Sequence, residues 1–220
     1  PCHRSYSERR GWFPPATGAV VLKPMSLCLD RRTLLTGLAA SLLPAQTNAQ
    51  SGSSGSFSNT NTAWKFSFQG LQGGEINLKD YANKPILITN TASFCGFASQ
   101  LEGLENLWTR FGPRGLMVIG VPSGDFGGQE ADAPAEIAAH AQQEHGTHFP
   151  LTAKHHVKGE QAHPFYKWAA AQKPNDLPRW NFHKYLIGRD GQIAAVFGTM
   201  TGPTESRVIA AIVKELDAKN

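Results

Sequence analysis

The chain has 220 residues, 40% of them hydrophobic and 17% charged. This is the composition of one or two globular domains, and it excludes a disordered chain. The net charge of +4 at pH 7 comes from the first 49 residues, because the remainder carries 15 basic and 15 acidic residues. A neutral domain has no electrostatic basis for binding a polyanion, so we expect no nucleic-acid partner.

The N-terminal part of the chain is predicted to be an export signal followed by a linker. Residues 1–24 have no assigned role. Residues 25–49 have the layout of a signal peptide: an Arg pair similar to a twin-arginine signal, an apolar run too short to span a membrane, and a small-residue site. We expect cleavage after Ala49 and export to the bacterial periplasm, by the twin-arginine or the general secretory route; an uncleaved anchor is the alternative. Residues 50–62, rich in Ser, Gly, Asn and Thr, are predicted to be a flexible linker.

Hydrophobic periodicity predicts one α/β domain over residues 63–220. In its first half, alternating polarity around a Gly-rich turn predicts a β-hairpin, short apolar runs predict buried strands, and apolar residues at helical spacing predict helices. The elements predicted there, in chain order, are a hairpin over 64–78, a strand over 84–93, a helix over 100–111, a strand over 115–123 and a helix over 134–144.

The second half of the domain completes a mixed sheet. It is predicted to contain a helix over 161–171, two strands over 182–188 and 193–198 joined by an Asp-Gly turn, and a closing helix over 203–219. The first two buried strands are joined by a helix and should be parallel with a right-handed crossover, whereas the later pair is antiparallel. A mixed central sheet flanked by helices, with an N-terminal β-hairpin, is the plan of a thioredoxin-like three-layer domain.

The three cysteines indicate a reactive thiol rather than a disulfide framework. Cys2 and Cys28 lie in the N-terminal segments, and only Cys95 lies in the domain. Cys95 follows the first buried strand, where we expect the next helix to begin, and free backbone N–H groups at such a position favour the nucleophilic thiolate. Gly96 allows a substrate to approach the sulfur closely. The alternative is a buried structural cysteine.

The histidines of the domain are not predicted to bind metal. His140, His145 and His148 are spaced i, i+5 and i+8, which is poor for placing ligands on one helix face, and His155 and His156 are adjacent. No Cys or carboxylate accompanies them at metal-site spacing. We therefore expect solvated surface histidines and no bound metal.

Three separated sequence blocks carry a family resemblance. They are NTASFCGFASQ at 90–100, FGGQE at 126–130 and RWNFHKYL at 179–186. Their order and spacing resemble the signature blocks of the glutathione peroxidase family. The similarity extends from about residue 65 to the C-terminal helix and includes AHPFYKW at 162–168.

The resemblance implies a catalytic tetrad. Cys95 matches the family's peroxidatic position, so the resemblance implies a Cys-type family member. Gln129, Trp180 and Asn181 match the other three residues of the tetrad. Amide and indole N–H donors directed at sulfur favour the thiolate and stabilise a departing alkoxide. Without the resemblance, Trp180 would be interpreted as a core residue and the two amides as turn residues.

The implied reaction is a thiol-dependent reduction of peroxides. The Cys95 thiolate attacks a peroxide oxygen and becomes a sulfenic acid, which external thiols return to the thiol through a disulfide. Neither metal nor flavin is required, so we expect no cofactor, with glutathione acting as a co-substrate. The implied substrates are hydrogen peroxide and organic or lipid hydroperoxides, and the implied role is antioxidant defence.

The sequence departs from the family pattern at several positions. Many Cys-type members carry a resolving cysteine on the helix after FGGQE; here Gln142 stands at that position, and no Cys follows Cys95. The resolving thiol must therefore come from outside, which favours glutathione or another small thiol over direct use of thioredoxin. Ala98 replaces the usual Thr, and Gly124-Asp125 replaces an Asn-Gln pair. The segment before Trp180 is short, as in the monomeric branch that accepts bulky lipid hydroperoxides, so we expect a monomer.

Two other functions remain open at this point. A peroxide-sensing or binding protein would use the Cys95 sulfenic acid as a signal without efficient turnover. A thioredoxin-like thiol–disulfide oxidoreductase is the other alternative, although the chain has no C-x-x-C motif.

Overall fold

The structure is a computed structural model that describes residues 61–218. The unassigned segment, the predicted signal peptide and all but the last two residues of the predicted linker lie outside the described residues.

The N-terminal hairpin predicted from the alternating pattern is present. Strand β1 (Ser67–Gln69) pairs antiparallel with β2 (Glu75–Asn77), with Phe68 opposite Ile76. Phe68 is buried against the main core, so the hairpin is anchored to the domain by its apolar face.

A four-stranded mixed sheet forms the centre of the domain. Its strands are β3 (Ile86–Thr91), β4 (Met117–Pro122), β5 (Lys184–Ile187) and β6 (Ile193–Phe197), in the spatial order β4-β3-β5-β6. Strands β3 and β4 are parallel, while β5 is antiparallel to both β3 and β6. Every residue of β3 and β4 is buried, as expected for parallel strands covered on both faces, although β4 is an edge strand of this sheet.

Four α-helices connect and flank these strands. They are α1 (Gln100–Phe111), α2 (Pro134–His145), α3 (Pro164–Gln172) and α4 (Ser206–Asp217). Helix α1 joins the parallel strands β3 and β4, as predicted. Among residues 61–218, no helix is both long enough and apolar enough to cross a bilayer.

The two faces of the sheet bury separate cores, which gives the predicted three layers. Alternate residues of β3 point to opposite faces: Ile86 and Ile88 belong to the core that contains α3 and the hairpin, whereas Leu87 belongs to the core of α1 and α4. The α1 side is filled by an apolar stripe that includes Leu104 and Leu107, at the helical spacing read from the sequence.

The predicted start of α3 differs from the observed one for a local reason. The prediction began this helix at residue 161, but it begins at Pro164. The Nδ1 atom of His163 accepts a hydrogen bond from the backbone N–H of Phe165 at 3.3 Å, so His163 caps the helix and Pro164 occupies its first turn. Histidine is not among the usual capping residues, so the cap at His163 was not expected, and Pro164 was the available signal for this boundary.

Candidate active site

Cys95 lies in a turn between β3 and α1, not at the beginning of the helix. The expectation that Cys95 stands where the next helix begins is wrong, because α1 begins at Gln100, as its periodicity predicts, and successive short turns occupy the segment before it. The Ala98 N–H donates to the Cys95 carbonyl at 2.8 Å, and the Gln100 N–H donates to the Phe97 carbonyl at 2.9 Å. Cys95 is a free cysteine with 5% of its surface exposed. An added Cβ on its neighbour Gly96 would meet nothing within 4 Å, so the space beside the cysteine is open.

Backbone hydrogen bonds join the Cys95 turn to the loop that carries Gln129. The N–H of Phe94 donates to the Gln129 carbonyl at 3.0 Å. The buried carboxylate of Glu130 accepts from the N–H of Ser93 at 3.2 Å and from the N–H of Ala131 at 3.0 Å. Burial raises the pKa of Glu130 although these bonds act in the opposite direction. These hydrogen bonds therefore hold the Cys95 turn next to the loop that carries Gln129.

The side chains of Gln129 and Asn181 are in direct contact. Asn181 is fully buried, and its Nδ2 donates to Gln129 Oε1 at 3.0 Å. Because the carbonyl end of the Gln129 amide accepts this bond, its NH₂ end is the end left to donate to another group. The backbone of Asn181 is held separately, since the hydroxyl of Thr199 donates to its carbonyl at 2.7 Å.

Trp180 is a surface residue that lies over the Gln129 loop. Its side chain is 40% exposed, so the interpretation of Trp180 as a simple core residue is wrong. Its ring centroid lies 5.9 Å from that of Phe126. An added Cβ on Gly127, which has a φ of +74°, would lie 3.5 Å from Cγ of Gln129 and 3.8 Å from Cη2 of Trp180. The backbone at Gly127 is therefore close to both side chains.

Asn90 is a positioning residue that the sequence reasoning missed. It is completely buried in β3, and its Nδ2 donates to the Trp180 carbonyl at 3.2 Å. Its Oδ1 accepts from the His183 N–H at 3.0 Å, and its own carbonyl accepts from the Phe182 N–H at 2.7 Å. Phe182 has a φ of +62°, an uncommon conformation that these bonds support. The available signal was the polar end, Thr89 to Thr91, of a buried strand that begins with three apolar residues.

Two buried basic groups follow the Trp180-Asn181 segment. Lys184 is fully buried, and its Nζ donates to the Gln100 side chain at 2.7 Å and to the Phe182 carbonyl at 2.6 Å. Burial lowers the pKa of Lys184 to about 7. Burial, together with the neighbouring Lys184 charge, lowers the pKa of His183 to about 4, so this imidazole is neutral at pH 7.

The structure brings two of the four predicted site residues, Gln129 and Asn181, into side-chain contact and links the segments that carry the other two to them. Gln129 contacts Asn181 through a side-chain hydrogen bond, and Trp180 precedes Asn181 and lies over the Gln129 loop. Cys95 joins them through Phe94. Gln142, which the family resemblance aligns with a resolving cysteine, is exposed on α2.

The expectation that the histidine spacing keeps potential metal ligands apart is wrong, because three of them come together. One potential ligand atom from each of His140, Glu144 and His145 lies within 4.8 Å of the other two. A carboxylate partner is therefore present, one helical turn after His140.

Comparisons with known proteins identify the family of this chain. Residues 63–170 match the glutathione peroxidase family. The hydroperoxy fatty acid reductase gpx1 of Synechocystis sp. is 39% identical over 165 residues, which cover 71% of this chain and 96% of that protein.

Solved structures support the same assignment. The crystal structure of Trgpx in its apo form is 29% identical with a TM-score of 0.57, covering 70% of this chain and 95% of that one. A thioredoxin-family thiol:disulfide interchange protein from Chlorobium tepidum TLS is similar in fold, with a TM-score of 0.51 at 14% identity and coverage of 69% and 92%. The predicted thioredoxin-like fold is confirmed. The chain belongs to the glutathione peroxidase family.

Proposed function

We propose that Cys95 carries out the thiol-dependent reduction of peroxides, which is the activity that membership of the glutathione peroxidase family gives this chain. The observation that supports Cys95 most directly is its placement. It lies beside open space at Gly96, and its preceding residue is bonded to the backbone of Gln129. This placement beside open space and next to the Gln129 loop supports a reactive rather than a purely structural cysteine.

The first step is a two-electron reduction of the peroxide. The Cys95 thiolate attacks one peroxide oxygen, the O–O bond breaks, and the released alkoxide takes up a proton and leaves as an alcohol, or as water from hydrogen peroxide. The sulfur is oxidised to sulfenic acid. The Gln129 NH₂ group and the Trp180 indole N–H donate to the thiolate and to the departing oxygen, while Asn181 orients Gln129.

Two external thiols complete the cycle. The first condenses with the sulfenic acid to form a mixed disulfide and water. The second attacks that disulfide, releases an oxidised thiol dimer and regenerates Cys95. Glutathione or another small thiol fits this role, because the chain has no cysteine after Cys95. Gln142 stands where many Cys-type members carry a resolving cysteine. In this mechanism the chain acts without a metal or flavin cofactor.

The surroundings of the site favour organic and lipid hydroperoxides as well as hydrogen peroxide. Two large apolar side chains are exposed at or next to site residues, Phe94 at 55% and Trp180 at 40%, and a third, Met200, is exposed at 79%. Met200 follows Thr199, the residue that bonds to Asn181. Exposed apolar groups at an active site favour a substrate with an apolar chain. The name of the Synechocystis relative indicates the same substrate class.

The setting of the protein is part of the proposal. The pattern of residues 25–49 supports export to the bacterial periplasm, where the protein would serve antioxidant defence. The connection from α3 to Trp180 spans only residues 173–179, and this short connection supports a monomer with an open site.

Peroxide consumption by the purified chain tests the proposal. Wild type, Cys95→Ser and the control Cys28→Ser would be compared with glutathione and, separately, with a thioredoxin system. We expect turnover with glutathione that is lost in Cys95→Ser and kept in Cys28→Ser. Turnover with thioredoxin alone would contradict the external small-thiol cycle, and activity in Cys95→Ser would contradict the assigned nucleophile.

A further inference from the structure

Two histidines and two glutamates cluster where the end of α2 meets α1. The ring centroids of His140 and His145 are 5.5 Å apart. Glu144 Oε2 lies 3.2 Å from His140 Nε2, and Glu102 Oε1 of α1 lies 3.2 Å from His145 Nδ1. Each imidazole is therefore paired with its own carboxylate, and the two pairs are side by side.

The His140 ring is held in this cluster by packing. Its side chain is only 14% exposed, and its ring meets that of Phe94 edge-on with centroids 5.6 Å apart. Its Nδ1 atom is buried without a hydrogen-bond partner in the part of the chain that the structure describes. Phe94 fixes the ring on one side, while Nε2 faces the carboxylate of Glu144. A ring held in one orientation loses less side-chain entropy when it binds a ligand.

We propose that His140, Glu144 and His145 bind one Zn²⁺ ion and that Glu102 orients the His145 ring. Two imidazole nitrogens and one carboxylate form a ligand set suited to zinc, with a fourth position left for water. Magnesium and calcium prefer oxygen ligands throughout and are disfavoured here. Histidine ligands commonly bond a carboxylate through the ring nitrogen that does not bind the metal, and Glu102 provides such a partner.

The observed distances require only small side-chain movements. The three candidate ligand atoms lie within 4.8 Å of one another. In a tetrahedral zinc site with bonds of about 2.0–2.1 Å, ligand atoms are about 3.3 Å apart. The Glu144 side chain is 62% exposed and free to rotate toward the histidines. The site would lie beside the active site, because Phe94 contacts His140 and directly precedes Cys95.

Calorimetric titration with Zn²⁺ tests this site without relying on peroxidase activity. The protein is the untagged full chain with Cys2, Cys28 and Cys95 replaced by Ser, so that thiolates do not compete for the metal. We expect one bound equivalent at neutral pH, displaced on acidification because protons compete for imidazole. Excess Mg²⁺ should not displace it. Displacement by Mg²⁺ would contradict the imidazole ligands.

Single substitutions in that background separate the roles of the residues. His140→Ala, His145→Ala and Glu144→Gln should each abolish the bound equivalent, and Glu102→Gln should weaken binding by about 10- to 100-fold. His148→Ala is the matched control, because His148 forms a similar pair with Glu105 outside the cluster and should leave binding unchanged. The exposed Glu144→Gln variant is informative even if a histidine variant fails to fold. Unchanged binding in Glu144→Gln or His145→Ala, or lost binding in His148→Ala, would overturn the proposal.

Discussion

The Nδ2 of Asn181 donates to the Oε1 of Gln129 at 3.0 Å, and this bond determines what Gln129 can do chemically. An amide that accepts through its oxygen keeps its NH₂ group as a donor. Asn181 is fully buried and held by Thr199, so it is a fixed reference for the orientation of Gln129. In the proposed mechanism Asn181 therefore acts through Gln129, whose NH₂ group is left to donate.

Replacing Gln129 should slow the oxidation of Cys95 with little effect on folding. Gln129→Ala removes a donor to the developing charge, and the loss of one such donor lowers a rate by about 100- to 1000-fold. The measurement is the rate of a single peroxide reaction followed by stopped flow. Gln142→Ala, at an exposed position of α2, is the control and should react at the wild-type rate. A wild-type rate in Gln129→Ala would remove Gln129 from the mechanism.

The indole N–H of Trp180 should matter more than its ring. Trp180→Phe keeps an aromatic ring beside Phe126 and removes the donor, so we expect slower peroxide reduction, by about 10-fold or more, with unchanged thermal stability. The matched variant is Trp168→Phe. It removes a partly buried hydrogen bond from the indole to the Asn61 carbonyl and should lower stability by about 1 kcal/mol without changing the rate. The opposite pattern would make Trp180 a packing residue.

Removing the Asn90 side chain should affect both stability and activity. Asn90→Ala leaves the buried N–H of His183 without its acceptor and frees the Trp180 carbonyl, so we expect a loss of about 1–3 kcal/mol in the free energy of unfolding and a reduced kcat. Thr89→Val in the same strand is the control. The buried Thr89 hydroxyl has no partner within residues 61–218, so its removal should be close to neutral. Denaturant unfolding and turnover assays distinguish the two variants.

Acid should destabilise the domain through His183. Its pKa is about 4 in the folded chain and ordinarily 6.5, so the unfolded chain binds the proton more tightly. Stability is therefore retained above pH 6.5 and falls as the pH drops toward 4, by about 3 kcal/mol for this group. His183→Phe should lose about 3 kcal/mol less than the parent between pH 7 and pH 4 in denaturant unfolding. Equal losses in both proteins would show that other groups cause the acid sensitivity.

The fold could be predicted from local patterns, because its elements follow regular periodicity. The prediction of α1 over residues 100–111 matches the observed helix, and the Asp-Gly turn correctly placed β5 and β6. The catalytic assignment of Gln129 and Asn181 came from the family resemblance, since each residue alone is typical of a turn. No local pattern indicates that their side chains meet.

The features that the sequence did not predict depend on distant partners. Asn90 acts on Trp180 through a contact between segments 90 residues apart. His140 and His145 converge although their spacing favours different sides of a helix, because Phe94 packs on one ring and Glu102 bonds the other. These partners belong to the segment before α1 and to α1 itself, so the residue spacing within α2 does not indicate the contacts that they make.

The most direct test of the central claim follows the oxidation state of Cys95 by mass spectrometry. The reduced full chain would receive one equivalent of peroxide, with and without glutathione, followed by peptide mapping of all three cysteines. We expect a sulfenic acid on Cys95 alone and, with a single equivalent of glutathione, a mixed disulfide between Cys95 and glutathione. The mechanism would be contradicted by a disulfide from Cys95 to Cys2 or Cys28 that forms despite glutathione. It would also be contradicted by a Cys95 that stays reduced while peroxide is consumed in the absence of glutathione.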